Sequence, residues 1–444
     1  MLLFLIVAST IALLQPLANT PPINANPPDE HARFLVPWYI YMHGTIPTGF
    51  EPEVQIPCYG FSYGLYNTFP YIVQGFTMRL AGLFTDSKLI LLYVARFVNV
   101  LSGCGMAYIV YLISKELFEK RGLRWVFCFG IMFLPQNLFV HTYVNSDSMC
   151  LLATAMIVYA WIKAYREGFS YRNCLWLSGG IIICALSYYN AYGYILSSIF
   201  LFLAYFLKRE NGKWHYDKVE MIKKGSFISI IVLAGISWWF IRCYILYDGD
   251  ILGLATREKM AIEFAIEEVN PLTMNTYENM GYSVWEMIKE TSFFDGMFTS
   301  FVACFGSMSI FTNIWIYRIY KIYFAAGILL CAVLPGPGGE KKKDTGRKTF
   351  LHVNMIFCIV LPIILLIYYA YTTDFQNQGR YILPALIPLM YFVTRGFEKM
   401  FLLWQNSRIF QICVWALVLF PVFCTLCVTY LNALPAYLQT GVVL

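Results

Sequence analysis

The sequence predicts an all-α, polytopic integral membrane protein, and three observations carry that prediction. Of the 444 residues, 59% are hydrophobic and only 13% are charged, with a mean hydropathy of +0.59; a soluble chain of this length needs far more polar surface. Apolar runs of about 20 residues, enough to cross a bilayer as a helix, recur along the whole chain. The basic residues gather in short polar stretches on one side of those runs, as in a chain of fixed membrane orientation.

Taken in order, the runs place spans near residues 2–18, 89–113, 124–142, 147–165, 173–189, 190–207, 223–247, 313–334, 349–371, 381–396 and 409–431, about eleven in all. They form a single transmembrane domain, 1–444, with no soluble domain and no internal repeat. The first run has no Lys or Arg before it and no clear small-x-small cleavage site after it, so it reads as a span rather than a cleaved signal peptide. The fifth and sixth runs meet at Tyr188-Tyr189-Asn190-Ala191-Tyr192-Gly193, read as a tight turn. The Gly336-Pro337-Gly338-Gly339 stretch, followed by lysines, reads as a connector.

The basic stretches at 115–124, 163–172, 208–224, 341–348 and 395–408 hold 21 of the 32 Lys and Arg. By the positive-inside rule that side is cytoplasmic. The expectation is a multi-pass cell-membrane protein with its N-terminus inside and its C-terminus outside. The net charge of +6 gives no case for nucleic acid, because the basic groups sit in these loops. Two long loops, 19–88 and 248–312, then face outward. Trp38, Tyr39, Tyr41, Tyr59, Tyr63, Tyr66 and Tyr71 in the first suit helices lying along the membrane interface. The second opens with a polar helix near Thr256–Glu268 and closes with aromatic, amphipathic stretches at Tyr282–Ile288 and Phe293–Phe311. Such loops suit a lid over a lipid-facing cavity, or plain surface cover. The thirteen cysteines lie almost entirely in apolar runs and imply no disulfide framework. Cys424-x-x-Cys427 falls within a span, where a zinc or redox site is out of place.

Charged and polar groups recur on the outer side at span ends. Asn26-Pro27-Pro28-Asp29-Glu30-His31-Ala32-Arg33-Phe34 follows the first run, and its prolines hold two adjacent carboxylates in a turn at the membrane edge. The plain alternative is a helix cap, with Asp29 bonding the first free N–H groups of a helix from Ala32 to Met42. Asn145-Ser146-Asp147 opens the fourth span, Trp238-Trp239-Phe240-Ile241-Arg242 and Tyr247-Asp248-Gly249-Asp250 end the seventh, and Asp374–Pro384, with Gln378-Gly379-Arg380-Tyr381, opens the tenth. Each alone has a bland reading: Asp147 as a cap, Arg242 or Arg380 as a snorkelling side chain. Together they suit an anionic headgroup, clamped by guanidinium forks, and a hydroxyl to be deprotonated by a carboxylate.

These motifs, with Ser292-Phe293-Phe294-Asp295-Gly296 and Phe305-Gly306 in the same order, resemble a bacterial family of predicted multi-spanning membrane proteins similar to the GT-C glycosyltransferases. The resemblance covers nearly the whole chain. It implies an inverting transfer of a sugar from a polyprenyl-phosphate donor to an outer-face acceptor (glycan, teichoic acid, lipid or protein). The departures are Arg33 where relatives carry histidine, with His31 nearby, and Asn190 where many carry lysine. The resemblance makes Asp29 the base, with Glu30 or Asp147 orienting it. Arg380 and Arg242 would meet the lipid phosphate, and His31, Arg33, Asn145, Asp250, Gln378 and Tyr381 would complete the substrate contacts. Burial at a dry membrane edge is expected to raise the Asp29 pKa. Gly379 would let the backbone approach a ligand. No cofactor is expected, although Asp29, Glu30 and Asp147 could share a divalent ion as hard oxygen ligands. The competing readings are a transporter or flippase of a lipid-linked sugar, and a non-catalytic envelope-assembly factor. A carrier would favour paired broken helices and mid-membrane carboxylates, and a scaffold has no need of the Asp29-Glu30 pair.

Overall fold

A computed structural model describes residues 1–17, 25–66, 68–210, 213–335, 345–403 and 408–440. The chain is helical nearly throughout. Helix α1, Leu2–Leu14, is followed by α2, Glu30–His43, and α3, Phe69–Ala81, which belong to the first long loop; then come α4, Lys88–Leu117, α5, Arg121–Met132, and α6, Pro135–Val140. Next are α7, Asp147–Glu167, α8, Tyr171–Ser187, α9, Tyr192–Phe206, and α10, Lys218–Leu246. The second long loop holds α11, Leu254–Phe264, α12, Val284–Glu290, and α13, Phe293–Val302. The chain closes with α14, Ile314–Val333, α15, Thr345–Thr372, α16, Leu386–Leu403, α17, Arg408–Cys427, and α18, Leu434–Thr440. A small antiparallel hairpin, Leu207–Glu210 with Lys213–Tyr216, interrupts the basic stretch before α10. The hydrophobic runs did not foretell it, because all of it after Leu207 lies outside them.

Seven helices among the described residues are long and apolar enough to cross a membrane, and they overlap seven of the eleven predicted runs, the last continuing past its run to Thr440. The other four runs are short or broken. Helix α1 has only 13 residues. The run at 124–142 splits between α5 and α6, where Pro135 begins a new helix because it lacks an N–H to continue the old one. Helix α8 has 17 residues. The run at 381–396 starts as a 3-10 turn, Gly379–Ala385, and continues as α16. The predicted connector at 336–339 lies outside the described residues.

One core runs through the helical bundle, with Val110, Leu123, Phe127, Ala155, Trp161, Tyr194, Tyr320 and Met390 all buried. Leucine and isoleucine side chains on α10 such as Ile222, Ile230, Leu233 and Ile245 stay exposed; on a soluble protein that face would aggregate, and in a bilayer it meets lipid. A second core joins the two long loops. Phe34, Val36, Ile40, Leu65, Tyr71 and Met78 of the first pack with Met260 and Ala261 of the second and with Trp239, Cys243 and Tyr247 at the end of α10. Main-chain bonds reinforce it: the Ile266 N–H donates to Cys58 O at 3.1 Å. The loops are therefore packed structure and form one cap over the bundle end opposite the basic stretches.

Candidate active site

The site grows from the turn after α1. The Glu30 N–H donates to Pro27 O at 3.3 Å, which leaves Asp29 in the left-handed region (φ 57°, ψ 7°) at the start of α2. That backbone costs about 1 kcal/mol for a residue with a Cβ, and Asp is among the residue types that tolerate it. The Asp29 side chain makes no capping hydrogen bond to α2, so the helix-cap reading fails. Its carboxylate points instead at two arginines: Oδ2 lies 3.2 Å from Nη2 of Arg380 and 3.7 Å from Nη2 of Arg33, one helical turn on. Arg33 also reaches Oδ2 of Asp147 at 3.4 Å. Four alternating charges, Asp147, Arg33, Asp29 and Arg380, thus run in a row drawn from α7, α2 and the start of α16's 3-10 turn. Arg380 Nη2 further donates to the Tyr381 hydroxyl at 3.0 Å, which donates to Gln376 Oε1 at 2.7 Å.

Gly379 sets the position of Arg380. A Cβ there would collide with the backbone of Met297 and Phe301 on α13, and the Gly379 N–H donates to Ser300 Oγ at 2.7 Å. The glycine therefore permits close helix packing, and not the ligand approach expected from the sequence.

Beside this row opens a cavity of about 500 Å³. Asp29 and Arg33 line it together with nine tyrosines: Tyr59, Tyr63, Tyr66 and Tyr71 from the first loop, Tyr188 and Tyr189 between α8 and α9, and Tyr368, Tyr369 and Tyr381. Arg257, Asp374, Gln376 and Asn190 add polar groups, and Pro362, Leu365 and Leu366 of α15 form an apolar wall. The segment 188–190 is thus cavity wall: a 3-10 turn, Tyr189–Ala191, in place of the expected tight turn.

Burial tends to raise the Asp29 carboxyl, but the charges of Arg380 and Arg33 and hydrogen bonds from Arg380 and Tyr63 outweigh it, and the net direction is down. The expected rise is reversed because the neighbouring guanidiniums stabilise the carboxylate more than desolvation penalises it. The arginines themselves are under-satisfied. Arg380 is only 3% exposed, yet its Nε and Nη1 have no hydrogen-bond partner, nor does Nε of Arg33. Buried donors left open in this way mark where an acceptor-rich anion would fit.

Of the residues singled out in the sequence, the structure gathers Asp29, Arg33, Asp147, Arg380 and Tyr381. Gln378 is close in sequence, and its Oε1 is buried without a partner. The rest do other work. Glu30 is fully buried away from the cavity and paired with Arg96, at 2.9 Å and 2.5 Å, while also accepting from the Val144 N–H at 2.7 Å; it cannot act as a base or share an ion with Asp29 and Asp147. Among the described residues no three His, Cys, Asp or Glu side chains converge as a metal set. Asn145 ties the turn before α7, donating to Val140 O and Tyr143 O and accepting from the Ser148 N–H. Arg242 donates to Pro47 O at 2.6 Å and holds the first loop to α10. Asp250 accepts from the N–H groups of Gly253 and Thr256 and anchors the start of α11. His31 is exposed and does not line the cavity.

Sequence reasoning missed Arg96, because an arginine inside an apolar run gives no sign of which carboxylate it meets. It also missed Arg257 and the tyrosines at 188, 189, 368 and 369 as a common wall. The signal available was their polarity at span ends, without any indication that they converge.

A model of the family described as "Predicted membrane protein (DUF2142)" matches residues 54–390. Among curated protein sequences none matches. Among solved structures, the chain is similar to the archaeal oligosaccharyltransferase AglB from Archaeoglobus fulgidus in complex with an inhibitory peptide and a dolichol-phosphate: TM-score 0.55, 14% identity, 99% of this chain and 56% of that one. It is similar, too, to the Archaeoglobus fulgidus oligosaccharyltransferase tethered to an acceptor peptide containing the NVT sequon: TM-score 0.55, 14% identity, 100% of this chain and 56% of that one. The chain thus spans about half the length of these proteins. At such identity the likeness establishes a GT-C-like fold.

Proposed function

Because the chain belongs to the DUF2142 family of predicted membrane proteins and has a GT-C-like fold, we propose that it is an inverting membrane glycosyltransferase. It moves a sugar from a polyprenyl-phosphate donor to the hydroxyl of an extracytoplasmic acceptor, a cell-envelope glycan or lipid. The observation that carries this reading is the Asp29–Arg380 pair: Asp29 lines a tyrosine-walled cavity, and the buried Arg380 behind it has Nε and Nη1 without a hydrogen-bond partner. The AglB structure that the chain resembles is a complex with a dolichol-phosphate, which supports a lipid-phosphate donor.

The chemistry is a single displacement. The acceptor oxygen attacks the anomeric carbon, the bond from that carbon to the phosphate oxygen breaks, and the lipid phosphate leaves with the electron pair. Arg380 and Arg33 stabilise the charge growing on the phosphate. Asp29 takes the acceptor proton. A phosphate drawing Arg380 and Arg33 toward itself loosens their hold on Asp29 and makes it a better base than in the empty site. Asp147 keeps Arg33 in place. Tyrosine faces and hydroxyls suit a saccharide, and the wall of Pro362, Leu365 and Leu366 suits the isoprenoid.

This mechanism puts the cavity on the outer face, with the N-terminus cytoplasmic and the C-terminus extracytoplasmic. Cys58 is exposed in the first loop, so a membrane-impermeant maleimide added to intact cells should label it, while a thiol placed at Lys342 should stay protected; the reverse pattern rejects outer-face transfer. The activity itself is tested by transfer from a labelled polyprenyl-phosphate sugar in reconstituted membranes supplied with envelope-glycan acceptors. Movement of intact lipid-linked sugar across the bilayer, without cleavage of its phosphate bond, would identify a flippase instead.

A further inference from the structure

We propose that Arg257 forms a second anion subsite in the cavity, one that reads an acidic group on the acceptor glycan a few sugar units from the attacking hydroxyl. The inference rests on reading the cavity as a glycosyl-transfer site. Arg257 projects from α11 into the cavity wall, its guanidinium carbon 4.5 Å from the centre of the Phe61 ring and 5.7 Å from that of Tyr66. Its Nε is buried without a hydrogen-bond partner. Among the described residues no carboxylate lies within ion-pair distance of it, whereas Arg33 faces two and Arg380 faces one. The other carboxylate of the cavity wall, Asp374, is bonded to Gln376. The Tyr369 hydroxyl is hydrogen-bonded to the guanidinium, and Nε stays open; a cation drawn partly out of water among tyrosines and a phenylalanine, with no carboxylate beside it, is a costly arrangement unless an anion arrives to complete it.

Its distance from the reacting end is also informative. The guanidinium of Arg33 lies 5.0 Å from the Tyr63 ring centre, the Tyr63 and Tyr66 rings are 5.7 Å apart, and Arg257 is 5.7 Å beyond Tyr66. Two tyrosine rings therefore lie between Arg33 and Arg257 along this path, a track suited to a short oligosaccharide whose sugars stack on the rings. With the donor phosphate at one end, the anion at the other belongs to the acceptor. A guanidinium fork accepts either a uronate carboxylate or a phosphate ester.

The test is equilibrium binding of three fluorescent trisaccharides to the purified full chain in nanodiscs: one all neutral, one with a glucuronate, and one with a sugar 6-phosphate, the acidic unit being the terminal one. At least one acidic probe should bind ten times or more tighter than the neutral one, and which does so identifies the anion. Arg257→Gln should bring that probe down to the neutral affinity, while Arg257→Lys, which keeps the charge, should retain part of the preference. Equal binding of all three, no binding of any at millimolar concentration, or a preference that survives Arg257→Gln overturns the proposal. Farnesyl phosphate binding, compared between wild type and Arg380→Lys, reports the donor end separately, so a failure of the donor reading is distinguishable from a failure of this one.

Discussion

Glu30 and Asp29 are neighbours in the chain and are both paired with arginine, yet the two pairs are opposites. Glu30 and Arg96 are fully buried. Arg96 fills its remaining donors on Ala12 O and Gln15 O, at 2.8 Å and 2.9 Å, and Glu30 also takes the Val144 N–H. Every strong group has a partner, and the pair staples α1, α2 and α4 to the turn before α7. Asp29 keeps a side-chain exposure of 37%, and its partner Arg380 leaves two nitrogens open. A closed pair holds a fold together, whereas an open pair at a cavity has capacity left for a ligand.

The comparison can be broken by exchanging the consequences of mutation. Asp29→Asn keeps shape and removes the proton acceptor, so turnover should fall by about 100- to 10,000-fold with the folded yield close to wild type; near-normal transfer would leave Asp29 a purely structural charge. Glu30→Ala should do the opposite. It strands the Arg96 cation in the interior, at a cost of about 3–5 kcal/mol, seen as a large drop in thermal stability in detergent. If that variant is as stable as wild type, the closed pair is not the staple described here.

Arg380→Lys sharpens the contrast on the open side. Lysine keeps the charge but loses the planar fork, and binding of a polyprenyl-phosphate analogue should weaken by about 1.5–3 kcal/mol if one charge-assisted hydrogen bond is lost. Equal affinity would remove Arg380 from the site. A smaller effect is expected at Asp250, which anchors α11 and is itself held below its ordinary value of 3.8: burial raises it, and hydrogen bonds from Thr256, Gly253 and Leu252 outweigh that. Asp250→Ala should cost about 1 kcal/mol, read as faster proteolysis in the second loop, and an unchanged cleavage rate counts against the anchor. The pH dependence has a definite sign. Asp29 and Asp250 both have lowered pKa values, so their stabilising contributions are fully present above pH 3.8 and are lost as pH falls through the depressed folded values. Stability of wild type that instead improved on acidification below that point would contradict the assignment.

Seven of the runs were legible as membrane-long helices, and α4, α7, α10 and α14 begin and end within a few residues of where hydropathy put them. Hydropathy is a property of each run by itself, which is why it survives without tertiary information. The broken run at Pro135 shows its limit: the mean stays apolar across a break that one missing N–H creates. At the site, Asp29, Arg33, Asp147, Arg380 and Tyr381 were legible as charged or polar groups at one membrane depth. Arg242, Asn145, Asp250 and His31 had the same credentials, and they point elsewhere.

The sequence by itself determined that this chain is an all-α membrane protein, which loops are long and aromatic, and which ends of the helices carry the carboxylates and arginines. These follow from composition and spacing, because the bilayer selects for length and polarity. Only the tertiary structure decided that Asp29 faces a cavity while Glu30, one residue on, is sealed against Arg96. A left-handed Asp29 followed by a helical Glu30 sends two adjacent carboxylates to opposite sides of the chain, and the partners that await them come from 66 and 351 residues away.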